Sequence, residues 1–294
     1  MRKILIPLAV LAAALVTAAV GGRGDVAAAA PAATPGCAPD TLNLLNDGQL
    51  TIGTDNPAYP PWFGGGETKG QPWKINDPAT GKGFESAVAY AVAKQLGFTK
   101  AQVTWVYTPF NRAIAPGKKQ FDFAINQISY TPARAKVLTF SESYYNVNQS
   151  VVAVKGKRIA SVRSLKGLKS YKLGAQLGTT SYQFIVNRIK PSQRPAVFDT
   201  NDAAVAALKN GQIDGLVVDL PTAFYVTAVQ VPNGKIVGQF AATGNQERFG
   251  MVFQKGNPLV ACVNKALRTL KRNGTLAKIQ QTWLAKVTGA PVLR

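Results

Sequence analysis

Short apolar strands alternate with amphipathic helices along most of the chain, and this alternation limits the possible folds more than any other feature of the sequence. Leu50–Thr54 predicts a strand, and residues 84–96 place apolar side chains at helical spacing before Gly97 ends the helix. Val103–Tyr107 returns to the two-residue alternation of a half-buried strand, and residues 121–128 predict another strand. Strands that alternate with helices in this way predict an α/β fold.

The second half of the chain continues in the same way. The predicted elements are a strand at 172–175, a helix through 189 after the turn at Gly178, a helix at 201–208, strands at 215–218 and 249–253, and helices at 258–272 and 275–287. A chain of 294 residues is long enough for two lobes of ordinary domain size. The sequence therefore fits two α/β lobes.

The amino terminus differs from the rest of the chain. Met1-Arg2-Lys3 is basic, residues 4–20 are apolar, and small residues follow through Ala30. This layout predicts a secretory signal peptide over 1–30, so the mature protein is expected outside the cytoplasm, in a periplasm or at a cell surface. The alternative is a membrane anchor, but the apolar run is short for a span and nothing behind it stops transfer. Residues 31–48 are expected to form a linker.

Two cysteines, Cys37 and Cys262, lie near the two ends of the predicted mature chain. In an oxidising compartment an even pair predicts one disulfide. The alternative is lipidation of Cys37. Thr34-Pro35-Gly36 is a poor lipidation signal, and Cys37 lies far behind the apolar run. The disulfide is the preferred interpretation.

The chain contains no histidine, which excludes Ser-His-Asp and Cys-His nucleophiles and every histidine-ligated metal site. Two cysteines are too few for a thiolate zinc site or an iron–sulfur cluster. Neither a metal nor a cofactor is therefore expected. The carboxylates, Arg, Lys, Tyr, hydroxyls and amides that remain suit binding better than difficult catalysis.

The formal net charge is +20, from 34 Lys and Arg against 14 Asp and Glu. Such a charge suggests nucleic acid as a partner, but no nucleic-acid-binding motif accompanies it and a signal peptide argues against that class. The basic groups include 118–119, 155–158, 163–169 and 265–272. We expect an anionic cell-envelope surface as the partner of this charge, and no nucleic acid.

Several motifs occur in a fixed order along the chain: Thr54-Asp55, Tyr59-Pro60-Pro61-Trp62, Gly83-Phe84-Glu85, Ser129-Tyr130-Thr131-Pro132-Ala133-Arg134, Leu177-Gly178-Thr179-Thr180-Ser181, Asp214-Gly215, Asp219, and Asn273-Gly274-Thr275-Leu276 with Trp283. Together they resemble the solute-binding proteins of polar amino acid ABC transporters, the type II periplasmic binding proteins of family 3. The resemblance covers nearly all of the predicted mature chain, from about Leu50 to Leu284. Ordered motifs at matching spacing are more specific than any one of them alone.

The resemblance implies a fold of two lobes joined by two crossing hinge strands, with a ligand cleft between the lobes. Lobe 1 would comprise 49–145 with 249–294, and lobe 2 would comprise 146–248. The hinges would lie near 144–148 and 245–249. The implied function is capture of an amino acid by closing lobes and its delivery to the permease of an ABC importer. A monomer is expected.

Two charged residues are expected to hold the ligand's α-groups. Arg134 offers a planar fork of donors that matches a carboxylate, and the resemblance implies that it binds the α-carboxylate. Its alternative is a salt bridge with Glu142. Asp219 ends an apolar strand, and the resemblance implies that it binds the α-ammonium. Its alternative is a cap on the helix that starts at about Pro221.

The remaining site residues are predicted from the same motifs. Thr179 and Thr180 lie at a strand-to-helix turn, where they bind an anion or simply cap the helix. Tyr59 is expected to cover the ligand, with a core or turn aromatic as the alternative. Other expected ligand-binding residues are Asp55, Trp62, Phe84, Glu85, Gln127, Ser129 and Gln176. The amides of Gln127 and Gln176 slightly favour an uncharged polar ligand.

Two other functions remain open. The first is an enzyme similar to cyclohexadienyl dehydratase on the same fold, in which Glu85 or Asp219 would act as a general acid if burial raised its pKa. The second is a sensory ligand-binding module. Because no independent acid–base pair is recognisable, we expect a binding protein and not an enzyme.

Overall fold

The computed structural model describes residues 33–34, 36–242, 244, 246–286 and 289–293. The predicted signal peptide lies outside these residues. Within them, no helix is both long enough and apolar enough to cross a membrane.

The described residues form eleven strands in two sheets. In chain order the strands are β1 (Leu50–Thr54), β2 (Val103–Tyr107), β3 (Phe123–Ala124), β4 (Leu138–Asn146), β5 (Gln149–Val154), β6 (Leu173–Gln176), β7 (Ala196–Phe198), β8 (Gly215–Asp219), β9 (Gly234–Phe240), β10 (Arg248–Gln254) and β11 (Val292–Leu293). The first sheet has the order β2-β1-β3-β10-β4 and the second the order β11-β9-β5-β8-β6-β7. Two sheets with helices between their strands confirm the predicted α/β class.

Eight α-helices accompany the strands in the described residues. They are α1 (Phe84–Gln95), α2 (Phe110–Ile114), α3 (Pro132–Val137), α4 (Thr180–Phe184), α5 (Asn201–Lys209), α6 (Leu220–Tyr225), α7 (Leu259–Arg272) and α8 (Thr275–Leu284). π-Helical turns extend α4 through Ile185–Ile189 and α6 through Val226–Gln230, and short 3-10 turns occupy Pro39–Thr41, Pro78–Thr80, Lys100–Gln102, Arg158–Ser161 and Lys166–Ser170.

The first lobe is built on the first sheet, with α1, α7 and α8 packed on it. Its core includes the apolar faces of these helices and the buried rings of Trp62, Phe84, Tyr144 and Phe249. Trp62 contacts the Phe84 and Phe249 rings edge-on at centroid distances of 6.0 and 5.7 Å. Close edge-to-face rings contribute beyond the area they bury. The cluster gives one wall of the interlobe region a rigid base.

The second lobe is built on the second sheet and carries two smaller apolar clusters. One lies under α4 and its π-helical turn, and the other under α5 and α6. β6, β7 and β8 are parallel, so their carboxyl ends meet at one edge of the sheet. Polar residues at that edge are Gln176, Asp199 and Asp219, of which two end a strand and one follows it.

Two neighbouring segments cross from one lobe to the other. β4 leads through Val147 into β5, and the return path enters β10, with Arg248 paired to Asn146 and Phe249 to Tyr145. The backbone N–H of Val147 donates to the carbonyl of Glu247 at 3.0 Å. These paired crossings lie where the hinges were expected.

The two ends of the described chain contact different lobes. Residues 31–48 were expected to be a linker, but Cys37 is fully buried in the first lobe and the Thr34 N–H donates to the Gln95 carbonyl at 2.7 Å. The predicted disulfide is present and joins Cys37 to Cys262 of α7 with a Cα–Cα distance of 5.6 Å. At the other end, β11 lies within the range predicted for lobe 1 but pairs in parallel with β9 of the second sheet.

Candidate functional site

A cavity of about 220 Å³ lies between the two lobes, at the carboxyl ends of their parallel strands. Open α/β sheets offer backbone groups and helix amino termini at that edge, which is where such folds bind ligands. Of the predicted site residues, those that line the cavity are Asp55, Tyr59, Trp62, Gln127, Arg134, Gln176, Thr179, Thr180 and Asp219.

The lobes touch each other around this cavity. The Tyr59 hydroxyl donates to Asp202 Oδ2 at 2.5 Å, and the indole N–H of Trp62 donates to the Thr222 hydroxyl at 3.2 Å. The Tyr59 ring also lies 5.5 Å from the ring of Tyr225. In each pair the first residue belongs to the first lobe and its partner to the second. The structure is therefore a closed arrangement of the lobes.

Arg134 lies at the centre of this interface, in the short helix α3. The Thr131 hydroxyl accepts the Arg134 N–H at 3.1 Å and caps the helix. The guanidinium donates to the carbonyls of Ser129, at 2.6 Å, and of Gly178 across the cavity, at 2.8 Å. Burial lowers its pKa to about 10, although negative charge on Glu247 and Asp219 opposes that change. A guanidinium has five N–H donors, so it retains donors for a carboxylate.

The alternative partner of Arg134 is engaged elsewhere. Glu142 pairs with Arg268 and Lys271 of α7, and the Arg268 contact is a close one. Because these groups are exposed to solvent, the pair contributes little to stability. The structure therefore does not support the interpretation of Arg134 as the salt-bridge partner of Glu142.

Asp219 ends β8 opposite Gln149 of β5. Its Oδ1 accepts a hydrogen bond from the Gln149 amide at 2.6 Å. Asp219 occupies the position before α6, but its side chain makes no capping hydrogen bond there. Burial, and then the negative charge of Glu247, raise the pKa of Asp219 well above its ordinary value. A buried carboxylate of this kind is stabilised by a cation.

Glu247 is a polar residue of the interface that no sequence motif indicates. It lies on the returning crossing segment, where its Oε1 accepts from the Ser129 hydroxyl of the first lobe at 2.6 Å. The Gln149 amide of the second lobe donates to both Glu247 oxygens, at 3.2 and 3.1 Å. The Gln149 oxygen accepts from the Ser181 hydroxyl at 2.7 Å, which fixes the orientation of the amide. Gln149 therefore bridges two carboxylates.

Three predicted ligand-binding residues do not line the cavity. Phe84 is fully buried in the first-lobe core, and Ser129 lies behind Arg134 with 1% exposure. Glu85 is also fully buried, and it accepts hydrogen bonds from the Tyr144 hydroxyl and from the backbone and side-chain amides of Gln127. Burial raises the pKa of Glu85 to about 7 despite these hydrogen bonds. All three side chains are buried in the first lobe, and Glu85 accepts the hydrogen bonds that orient Gln127 at the cavity.

Gln127 itself adopts a left-handed backbone conformation with φ of 47°. Residues other than glycine rarely take this conformation, and it persists only where the surroundings fix it. Here the Glu85 carboxylate receives both the Gln127 backbone N–H, at 2.7 Å, and its side-chain amide. These two hydrogen bonds thus fix the orientation of Gln127 at the cavity wall.

The polar turn at residues 178–180 forms one wall of the cavity. The Thr179 hydroxyl accepts the Tyr182 N–H at 3.1 Å and so caps α4, and it donates to the Gln176 carbonyl at 2.7 Å. The Thr180 hydroxyl contacts the Ser129 hydroxyl across the interface at 3.4 Å. The Gln176 amide donates to the Asp199 carbonyl at 3.3 Å. Thr179 therefore caps the helix, and both threonines line the cavity.

The far end of the cavity is acidic. Asp55 accepts the backbone N–H groups of Asn56, at 2.8 Å, and Phe110, at 3.2 Å, and burial followed by nearby Asp202 raises its pKa. Asp202 accepts from Tyr59 and from the Gln230 amide at 3.1 Å. Burial and the Asp202 contact together raise the pKa of Tyr59, so its hydroxyl stays protonated and can donate.

Charge inside the cavity is unbalanced. Among the described lining residues, Arg134 is the only cationic side chain, whereas four carry carboxylates: Asp55, Asp199, Asp202 and Asp219. Asp55 and Asp219 are partly buried, where charges interact more strongly than in bulk water, whereas Asp199 and Asp202 are exposed. No motif indicates Asp202, which the sequence places only in the first turn of a predicted helix. The cavity can therefore hold one anionic group at Arg134 and more than one cationic group elsewhere.

Comparisons with known proteins identify relatives of this chain in sequence and in fold. The family model of the bacterial extracellular solute-binding proteins, family 3, matches residues 50–286. The arginine-binding periplasmic protein of Mannheimia haemolytica is 30% identical over 232 residues, which make up 78% of this chain and 88% of that protein. The solved structure of an ancestral arginine-binding protein bound to glutamine is similar with a TM-score of 0.65 and 31% identity, covering 81% of this chain and 98% of the other. An ancestral amino acid-binding protein, a precursor of cyclohexadienyl dehydratase, is similar with a TM-score of 0.64 and 28% identity, covering 80% and 95%.

Proposed function

The chain belongs to the bacterial extracellular solute-binding proteins of family 3, and on this premise we propose that it binds an amino acid between its lobes and delivers it to an ABC importer. The observation that carries the proposal is the interlobe cavity with Arg134 and Asp219 on its walls. These residues come from different lobes, so one ligand that contacts both favours closure.

The α-carboxylate is assigned to Arg134. Its guanidinium is fixed by two carbonyls and lies 5.6 Å from the Phe110 ring centroid. A fixed, planar group loses little conformational entropy on binding a carboxylate. The Thr179 and Thr180 turn faces the same cavity and adds polar contacts.

The α-ammonium is assigned to Asp219. The Asp219 side chain is partly buried at the cavity wall, and its hydrogen-bond partner Gln149 is neutral. An ammonium group would compensate the charge that burial leaves without a close ion-pair partner. The assignment accounts for an otherwise costly carboxylate at the end of β8.

The ligand side chain is proposed to be cationic. Once Arg134 and Asp219 engage the α-groups, Asp55, Asp199 and Asp202 remain on the cavity wall. The aromatic rings of Tyr59 and Tyr225 lie beside Asp202 and can cover a flat or extended cation. This arrangement favours an amino acid such as arginine or lysine over the uncharged polar ligand that the glutamines suggest.

The protein is proposed to act outside the cytoplasm as a monomeric binding protein and not as an enzyme. The general acid suggested by the sequence, Glu85, has no surface on the cavity and cannot touch a ligand there. Asp219 is committed to the ligand's ammonium in this assignment. The other cavity carboxylates, Asp55, Asp199 and Asp202, are assigned to the ligand's cationic side chain and not to proton transfer.

Isothermal titration of refolded protein tests the proposal. Refolding removes any amino acid carried through purification, and the protein is then titrated with arginine, lysine, histidine, glutamine and cystine. We expect binding with arginine or lysine tightest. Failure of every amino acid to bind a folded protein overturns the function, whereas tighter binding of glutamine overturns only the cationic class. Prephenate, a cyclohexadienyl acid, is incubated with the protein in parallel, and turnover would establish an enzyme instead.

A further inference from the structure

A second surface cavity, of about 480 Å³, lies on the second lobe and shares no residue with the ligand cavity. We call it the basic groove; its lining residues are Lys155, Gly156, Lys157, Arg158, Ala160, Ser161 and Lys235. The groove begins just after Val154, the last residue of β5, whereas Gln149, the first, donates to Asp219 on the wall of the ligand cavity. The length of the strand separates them by about 17 Å. The two cavities are therefore at opposite ends of the second sheet.

Charge on the second lobe is segregated in the same way. Seven Lys and Arg residues and no carboxylate occur from 155 to 172, and all seven side chains are exposed. Of the five carboxylates between 146 and 248, Asp199, Asp202, Asp219 and Glu247 lie at or beside the ligand cavity, and Asp214 accepts the Lys172 N–H. The groove end of the lobe is consequently a region of strong positive potential.

The backbone around the groove is held in place. Ile159 and Ala160 are buried in the lobe, and the Lys155 N–H donates to the Asn233 carbonyl at 2.8 Å. The half-buried Lys235 donates to the Ala160 carbonyl at 2.9 Å, which fixes one cation on the groove wall. Within the described residues, no ion pair engages the four cationic side chains of the groove. Like charges on a fixed backbone repel one another, and an anion bound between them relieves that repulsion.

We propose that the basic groove binds a phosphate-bearing polyanion of the cell envelope, namely a flexible linear polymer with repeated phosphate groups and no bases. Four more exposed cations follow the groove residues in the sequence, namely Arg163, Lys166, Lys169 and Lys172, so the basic segment carries more charge than a single phosphate would balance. No large hydrophobic side chain from 155 to 172 is strongly exposed, which argues against insertion into a membrane. No exposed aromatic ring lies there to stack on a base, which argues against single-stranded nucleic acid.

Such binding keeps the protein near the cell surface without a lipid. Cys37, the candidate for lipidation, is consumed by the disulfide with Cys262. Many weak phosphate contacts hold the protein on a polymer yet let it move along, because each contact exchanges readily with salt ions. The groove thus retains the protein at the cell surface, while the opposite end of the second lobe binds the amino acid.

A pair of charge-matched variants tests the proposal. Lys155→Glu, Lys157→Glu and Arg158→Glu are combined in the groove variant, and the exposed Lys69→Glu, Lys94→Glu and Lys278→Glu in the control variant. Each variant changes the net charge equally. Binding of fluorescent long-chain polyphosphate is measured from low to physiological salt. We expect the groove variant to lose at least about tenfold in affinity and about two units of the log–log salt slope, near 0.7 per lost phosphate contact, and the control variant to lose much less.

Several outcomes overturn the proposal. Equal losses in the two variants show a response to net charge alone, and an unchanged groove variant shows that the groove does not bind. Tighter binding to phosphatidylglycerol vesicles or to a single-stranded oligonucleotide than to polyphosphate identifies a different partner. Arginine titration of each variant reports whether the ligand cavity is intact, so failure of the groove is distinguished from failure of the proposed function. If the glutamate variant does not fold, Lys157→Gln with Arg158→Gln replaces it.

Discussion

Tyr59 of the first lobe donates a hydrogen bond to Asp202 of the second, at 2.5 Å, and this contact joins the lobes at the acidic end of the ligand cavity. Asp202 also accepts from Gln230 of its own lobe. A side chain that both joins the lobes and adds charge to the cavity connects ligand recognition with closure.

Asp202→Asn is expected to weaken arginine binding about tenfold and to leave glutamine binding nearly unchanged. The amide preserves an acceptor for Tyr59 but removes the charge that complements a cationic side chain, and a hydrogen bond to a charged group is worth more than a neutral one. Titration calorimetry with both amino acids measures the difference. Asp214→Asn, an exposed change outside the cavity, is the control. Equal weakening for both amino acids would contradict the cationic assignment.

Arg134→Ala is expected to reduce the affinity for every amino acid by about 100-fold or more, because it removes a buried, charge-assisted contact to the α-carboxylate. Arg134→Lys should recover only part of the loss, since an ammonium lacks the planar fork. Exposed Arg112→Ala serves as the control, and thermal unfolding confirms that each variant folds. Full affinity in Arg134→Ala would remove this residue from the site.

Glu247→Gln is expected to shift the pH dependence of ligand binding. An ammonium ligand needs ionised Asp219, so affinity falls as pH drops through the Asp219 pKa in the free protein. Glu247 is a nearby negative charge that raises that pKa, after burial itself. Its removal lowers the pKa, and the loss of affinity should move to lower pH. Titrations across the pH range measure the midpoint; a midpoint that stays in place or rises would refute the coupling.

Glu85→Gln is expected to alter the pH dependence of stability. The folded pKa of Glu85 is about 7 against an ordinary value of 4.5, so the folded protein holds a proton that the unfolded chain has released. The stabilisation that Glu85 provides is complete below the unfolded value and is lost as pH rises through 7. The unfolding free energy of the wild type should therefore fall relative to that of Glu85→Gln, by roughly 3 kcal/mol across this window.

Denaturant titrations of the two proteins at pH 4.5 and pH 8 measure this difference. Glu67→Gln replaces an exposed carboxylate and provides the comparison. A constant difference between wild type and Glu85→Gln at the two pH values would show that the buried carboxyl titrates normally.

Regular apolar patterns predicted much of the fold, while the polar strand β4 was not predicted as a strand. β1, β2 and β8 match their predicted bounds because their sequences are apolar and β-branched. β4 is a nine-residue strand that was not predicted, since most of its side chains are polar or half-exposed and its partner β10 is more than a hundred residues away. β3 (Phe123–Ala124) is shorter than the predicted strand at 121–128, and Gln127 near the end of that range takes a left-handed conformation that a strand does not contain.

The site shows the same limit. Arg134 and Asp219 belong to local motifs, and the structure brings both to the interlobe cavity. Asp202 and Glu247 meet their partners only through the closed fold: 143 residues separate Tyr59 from Asp202, and 118 separate Ser129 from Glu247. A local sequence pattern cannot predict contacts between residues so far apart in the chain. The balance of charge in the cavity therefore appears only in three dimensions.

The disulfide fastens the amino-terminal end of the described chain to the first lobe, while β11 fastens its carboxyl-terminal end to the second. A donor dye near Cys37 would therefore be attached to the first lobe, and an acceptor dye near Leu293 to the second. Ligand capture would then change the energy transfer between them, so positions near Cys37 and Leu293 provide the attachment points of an optical sensor.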